Sequence, residues 1–109
     1  MFSHIIELTA KPGQAGQLIA AIRDHAIPEI ITKSEGFVDQ IVLVSATDPN
    51  LISAISFWQS KDAGDAFFQN GFQKVSVITA PFLNAKPTAL EFSVGASTND
   101  HIRPNDDQP

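Results

Sequence analysis

The chain has 109 residues, 43% hydrophobic and 17% charged, a size and composition that fit one globular domain around a single core. Its net charge of −5, with Arg23 and Arg103 the only arginines, excludes a nucleic-acid or anionic-membrane partner, since both need clustered cations. Cysteine is absent, which removes disulfides, thiolate metal sites and thiol nucleophiles.

Met1–Gly13 lacks the basic segment and long apolar run of a signal peptide. No stretch approaches the roughly 20 apolar residues that span a bilayer. A soluble, cytoplasmic protein is expected. Phe2–Thr9 alternates as a strand, with Phe2, His4, Ile6 and Leu8 on one face. Lys11-Pro12-Gly13 is turn chemistry, and Ala15, Leu18, Ile19, Ile22 and Ala26 then recur at helical spacing. Pro28 is expected to kink that helix or end its first part, because it lacks an N–H and disfavours a helical conformation at Ile27.

Gly36 opens a second strand, Phe37–Ser45, whose strict alternation puts Asp39 beside Phe37 and Ile41. The Asp48-Pro49-Asn50 turn leads into a third strand, Leu51–Gln59, completing a hairpin. Ser60 or Asp62 can cap the next helix. Gly71 divides that helix into Lys61–Asn70 and Phe72–Leu83, and Thr88–Val94 is the last strand. The remainder, 96–109, is rich in Asn, Asp, Ser, Thr and Pro with Ile102 its one large aliphatic residue, and reads as a flexible tail or an arm that orders against a partner. The domain is therefore expected to span 1–95.

The order strand, helix, strand, strand, helix, strand predicts a ferredoxin-like α+β fold, a four-stranded antiparallel sheet with its helices on one face. Both faces of the second and third strands are apolar, yet the helices cover only one. The exposed patch calls for a homodimer.

Candidate functional residues gather around Ile55–Phe72. Trp58 ends a strand beside a phenylalanine-rich helix, and with Phe67 and Phe72 it could wall an aromatic pocket or fill the core. Phe67, Phe68 and Phe72 spread around the helix and cannot all face one way. His4, among apolar neighbours, and Asp39 are the candidate bases, each with a bland alternative as a hydrogen-bonded or solvated strand residue. His25 suits a helix end, and Glu7 and Glu91 are expected in solvent or across an interface. The spacing of the three histidines gives no metal motif, and no glycine-rich phosphate loop or nucleophile elbow is visible, so no cofactor is expected.

Four elements in order, Leu8–Ile22 (LTAKPGQAGQLIAAI), Ser34-Glu35-Gly36-Phe37, Asp48-Pro49-Asn50 and Phe57–Ala63 (FWQSKDA), resemble the antibiotic biosynthesis monooxygenase domain over 1–94. The resemblance implies a dimeric α+β barrel in which two sheets pack face to face. It also implies a cofactor-independent monooxygenase acting on a small electron-rich aromatic, quinol- or phenol-like, since some members oxygenate such compounds without metal or flavin. Haem-degrading members combine a first-strand asparagine, the tryptophan and a helix histidine; here Ile6 and Phe67-Phe68 stand near those positions, so haem degradation is not expected. Ala54 stands where quinol oxygenases can carry an asparagine, and tyrosine is absent. The alternative reading is a non-catalytic binding or accessory module on the same barrel.

Overall fold

Strands β1 (Phe2–Thr9) and β3 (Leu51–Trp58) are central, and β2 (Phe37–Val44) and β4 (Thr88–Ser93) flank them in the order β2-β3-β1-β4. Every neighbouring pair is antiparallel, which is the ferredoxin-like arrangement expected from the order of elements. The computed structural model describes residues 1–104. Its helices are α1 (Ala15–Ala21), α2 (Lys61–Asn70) and α3 (Phe72–Thr79), the last closing in a 3₁₀ turn at Ala80–Phe82. Among the described residues no helix is long and apolar enough to cross a membrane.

The local chemistry explains where these elements begin. Ser60 caps α2 by accepting a hydrogen bond from the Ala63 N–H at 3.2 Å, and Asp62 lies in the positive first turn. Gly36 has φ of +78°, and a Cβ there would collide with the Ala63 side chain, so glycine lets the β2 entrance pack on α2. Pro28 does not end the first helix. The backbone instead widens into a π-helix over Ile22–Ile31, where the Thr32 N–H reaches back to the Ile27 carbonyl at 3.0 Å. A wider turn accommodates a ring that can neither donate nor tolerate the usual carbonyl four residues back.

The register on β2 differs from strict alternation. A bulge between Phe37 and Asp39 places Phe37 opposite Trp58 and Asp39 opposite Phe57, with Val38 the extra residue. Asp39 therefore shares its face with Ile41, and Phe37 turns to the other face. Rows of side chains then cross the sheet. On the face away from the helices, Ile41, Ile55, Ile5 and Leu90 align across all four strands. Ile41, Leu43, Leu90 and Phe92 are each between 43% and 50% exposed on that face. On the helix side, Ile6, Leu8, Leu18, Ile22 and Ile52 form one core cluster, and Ala26, Ile31, Trp58 and Phe67 form a second.

Past β4 the chain turns back over the N-terminus. The Val94 N–H donates to the Met1 carbonyl at 3.0 Å, the Met1 ammonium donates to the Arg103 carbonyl at 3.2 Å, and Ile102 is buried. One aliphatic residue in a polar segment is enough to give that segment a seat. The rest of the expected tail, 105–109, lies outside the described residues.

Candidate functional site

One row on the helix side is polar from edge to edge: Gln40, Ser56, His4 and Glu91 stand in register across β2, β3, β1 and β4. Polar groups in a core face cost stability unless each is paired, so the partners of each member of this row matter.

At the β2 end lies a cavity of about 40 Å³ between the sheet and the helices. Ile6, Leu8 and Ala54 form its floor, the π-helical Ile22 and Ile31 one wall, and Phe67, Phe72 and Val75 the other. Gln40, Ser56 and Thr79 supply its polar groups. The Gln40 Oε1 is buried with no hydrogen-bond partner. Ser56 Oγ accepts from Trp58 Nε1 at 2.9 Å and faces the His4 carbonyl at 3.5 Å, and Thr79 Oγ1 donates to the Val75 carbonyl at 3.1 Å. With both hydroxyl protons directed at backbone carbonyls, the Gln40 amide is the group left to answer a guest, through its Oε1 acceptor or its N–H donors.

Trp58 does not line this cavity. Its ring is fully buried, stacked on Phe67 at 4.8 Å between centroids and met edge-on by Phe37 at 5.8 Å. The Trp58 position is a filled core, and Trp58 touches the cavity through Phe67 and through its hydrogen bond to Ser56. Phe67 and Phe72 both reach the cavity. Phe68 turns the other way, as helical spacing requires, and stacks between Phe72 at 4.8 Å and His4 at 5.3 Å.

His4 occupies the β1 position of the row and is 1% exposed. Its ring stacks on Phe68 and meets Phe2 in a T-shaped contact, and neither ring nitrogen makes a well-formed hydrogen bond, the Gly64 backbone being close enough to act on the imidazole without one. Gly64 makes this seat: a Cβ there would stand 3.0 Å from His4 Nε2. Burial lowers the His4 pKa, opposed by the carboxylates of Glu91 and Asp65 and by the Gly64 backbone, so the imidazole is neutral at pH 7. Phe68 and Phe72 separate it from the cavity.

The bulge sets Asp39 on the opposite face of the sheet, where its carboxylate accepts from the Gln40 N–H at 3.1 Å. The two candidate bases are thus not brought together, and neither lines the cavity. His25 is exposed and pairs with Glu29 at 3.5 Å one turn on. Glu91, expected in solvent or at an interface, is exposed but on the helix side, opposite His4. Gln40, Ser56 and Asp65 escaped the sequence reading because only the register and the bulge bring them into one row or beside it; strict alternation puts Gln40 on the face opposite Asp39 but says nothing of a cavity there.

The model of the antibiotic biosynthesis monooxygenase family matches residues 1–75. No curated protein matches the chain by sequence. Among solved structures, a Nitrosomonas europaea protein of unknown function superposes with a TM-score of 0.75 at 17% identity, covering 90% of this chain and 92% of its own. A Bordetella bronchiseptica protein named as an antibiotic biosynthesis monooxygenase gives 0.74 at 16% identity, covering 85% and 95%. A variant of SnoaB, a cofactor-independent oxygenase from Streptomyces nogalater, gives 0.71 at 18% identity, covering 91% and 97%. At such identities these likenesses speak for the fold, and with the family's own model matched over most of the chain, the protein belongs to the antibiotic biosynthesis monooxygenase family.

Proposed function

We propose that the chain is a cofactor-independent monooxygenase acting on a small, electron-rich aromatic of the quinol or phenol type, bound between the sheet and the helices. The observation that carries this reading is the buried Gln40 Oε1, which lacks a donor at the wall of a mostly apolar cavity whose other polar groups, Ser56 and Thr79, already have partners. A ring hydroxyl is a donor mounted on a flat apolar body, which is what such a wall leaves unsatisfied. Family membership supports the oxygen chemistry.

The reaction balances without a second reductant. The substrate loses a proton and becomes an electron-rich anion, which passes an electron to O₂. The radical pair then joins as a C–O bond. The resulting peroxide anion takes back a proton and eliminates water with the hydrogen on the attacked ring carbon, turning that C–H carbon into C=O, so one oxygen atom enters the product and the other leaves as water. The protein's part is to hold the ring and exclude bulk solvent. The Gln40 amide, turned about its last bond, would offer the anion an N–H. The candidate bases His4 and Asp39 both lie away from the cavity. Because neither lines the cavity, we assign the proton to water.

The cavity of about 40 Å³ has room for one or two waters. A ligand-sized pocket is ~300 Å³ or more, so ring binding must widen it. Phe67 is the element to move. It also borders an outer hollow of about 340 Å³ between the π-helix end and α2, beside Lys33, Asn70 and Lys74. The same reading makes the chain a homodimer through its outer sheet face.

The second reading, a non-catalytic binding module on the same fold, is favoured by one observation: among the described residues no ionisable side chain lines the cavity. Oxygen uptake by chelator-treated protein with dihydroxynaphthalenes and anthrones, alongside Trp58 fluorescence titrations, separates the two. Uptake with quenching supports the oxygenase. Quenching alone leaves the binding module, and neither signal overturns the cavity as a ligand site.

A further inference from the structure

The other end of the polar row has its own unsatisfied chemistry. A ring nitrogen of His4 and carboxylate oxygens of Asp65 and Glu91 all lie within 4.8 Å of one another. Asp65 comes from α2, Glu91 from β4 and His4 from β1 between them. The histidine is 1% exposed and has no partner at either nitrogen, yet it is clamped by Phe2 and Phe68 in the orientation that faces the two carboxylates. Lys61 is the one cation near them; its Nζ lies 2.6 Å from Asp65 and 5.8 Å from the Phe2 ring centroid. Two carboxylates and one ammonium leave a net negative charge beside a buried nitrogen lone pair.

We propose that His4, Asp65 and Glu91 form a binding site for a first-row divalent transition ion such as Zn²⁺. One imidazole nitrogen and two carboxylate oxygens suit a borderline ion of this class. Ligand atoms around a tetrahedral zinc stand roughly 3.3 Å apart, from metal–ligand distances of about 2.0 Å, so the group must contract by roughly 1–1.5 Å. The contraction falls on the carboxylates, since Glu91 is exposed and Asp65 is partly exposed, while His4 stays fixed. The ion displaces the Lys61 ammonium from Asp65.

The consequence is structural. Every side chain of β4 is exposed, and its neighbour in the sheet is β1. An ion shared by Asp65 and Glu91 ties α2 to β4 across His4. The site lies beyond the Phe68 and Phe72 rings from the cavity, so it takes no part in the proposed oxygen chemistry and stands or falls separately.

The test uses the full chain, freed of metal, titrated with Zn²⁺ by calorimetry and with Co²⁺ by visible absorption. One ion per chain should bind with a dissociation constant in the micromolar range and raise the melting temperature. Glu91→Gln and Asp65→Asn, both changed near the surface, should each weaken binding at least tenfold and abolish the thermal shift. Lys61→Met should tighten binding several-fold by releasing Asp65, an effect that a purely structural lysine does not produce. His4→Gln should also remove the site but risks the core, so the carboxylate variants decide. No saturable binding below millimolar Zn²⁺ overturns the proposal. So does binding that is unchanged in Glu91→Gln, or that disappears in His25→Gln, which would place the ion on the exposed His25 and Glu29 pair.

Discussion

Gln40→Leu tests the cavity most sharply, because stability and binding should move in opposite directions. Gln40 Oε1 is a buried acceptor without a donor, and leaving such a group unpaired costs about 1–3 kcal/mol. Leucine has nearly the same reach and carries nothing to satisfy, and the neighbouring Val42 and Ala54 are apolar. A water in the cavity of about 40 Å³ would relieve part of the cost, so the expected gain is ~1–2 kcal/mol. For a domain of this size that raises the melting temperature by roughly 4–8 °C per kcal/mol. The substituted wall offers no acceptor, and hydroxylated aromatics should bind about 2–12-fold more weakly, the equivalent of one net hydrogen bond of ~0.5–1.5 kcal/mol. Urea unfolding followed by Trp58 fluorescence gives the first quantity, and quenching by the same aromatics gives the second. If the Gln40→Leu variant is less stable than wild type by about 1 kcal/mol or more, Gln40 is satisfied and structural. Greater stability with unchanged affinity would sink the binding argument.

The outer sheet face is expected to hold a homodimer, and Ile41→Lys or Leu90→Glu should give monomers by light scattering after gel filtration; a wild-type monomer at low micromolar concentration contradicts this. Trp58→Ala should cost ~3–5 kcal/mol as a core cavity, whereas Trp58→Phe should leave aromatic affinity, read by calorimetry, within a factor of two, because Trp58 reaches the cavity indirectly, through Phe67 and the Ser56 hydroxyl. Asp39→Asn should leave any oxygen uptake unchanged; a loss of roughly 10²-fold or more would make it the base. Ile102→Ala should lower stability by ~1–3 kcal/mol if the buried seat against the N-terminus holds in solution, and no change in melting temperature would show that the segment contributes nothing. In chelator-containing buffer, stability should fall as pH drops below about 6.5, since a lowered His4 pKa means that the unfolded chain binds the proton first. The slope cannot exceed about 1.4 kcal/mol per pH unit for one proton; in His4→Gln that part of the slope should vanish.

The strands and helices were legible in the sequence because period-2 and period-3.6 patterns survive in single elements. Phe2–Thr9 shows its buried face without knowledge of its neighbours, and Ser60 marks the start of α2. Side chains that act together were far less legible. Alternation makes Asp39 a companion of Phe37 because it has no way to show an extra residue at Val38. Pro28 reads as a kink or a stop because the π-helix that absorbs it is a tertiary solution, packed through Ala26 and Ile31 against Trp58 and Phe67. Trp58 draws attention by its rarity, and the structure shows it enclosed by Phe37 and Phe67 rather than open to a ligand.

The polar row explains why the informative residues were plain ones. Within their own strands, Gln40, Ser56 and Glu91 are single polar positions of no special spacing, and they form a row only through pairing between strands distant in sequence. A core face could have been closed with aliphatic side chains at each of these places, as it is in the neighbouring row of Val42, Ala54, Ile6 and Ala89. Keeping Gln40, Ser56 and His4 there costs stability, and the cost is concentrated where they stay unpaired, at Gln40 Oε1 and at both His4 nitrogens. Ser56, between them, is the one whose demands are met, by Trp58 and the His4 carbonyl. Trp58 thus keeps the middle of the row satisfied, while Gln40 Oε1 and the His4 ring nitrogens on either side of it are left without partners.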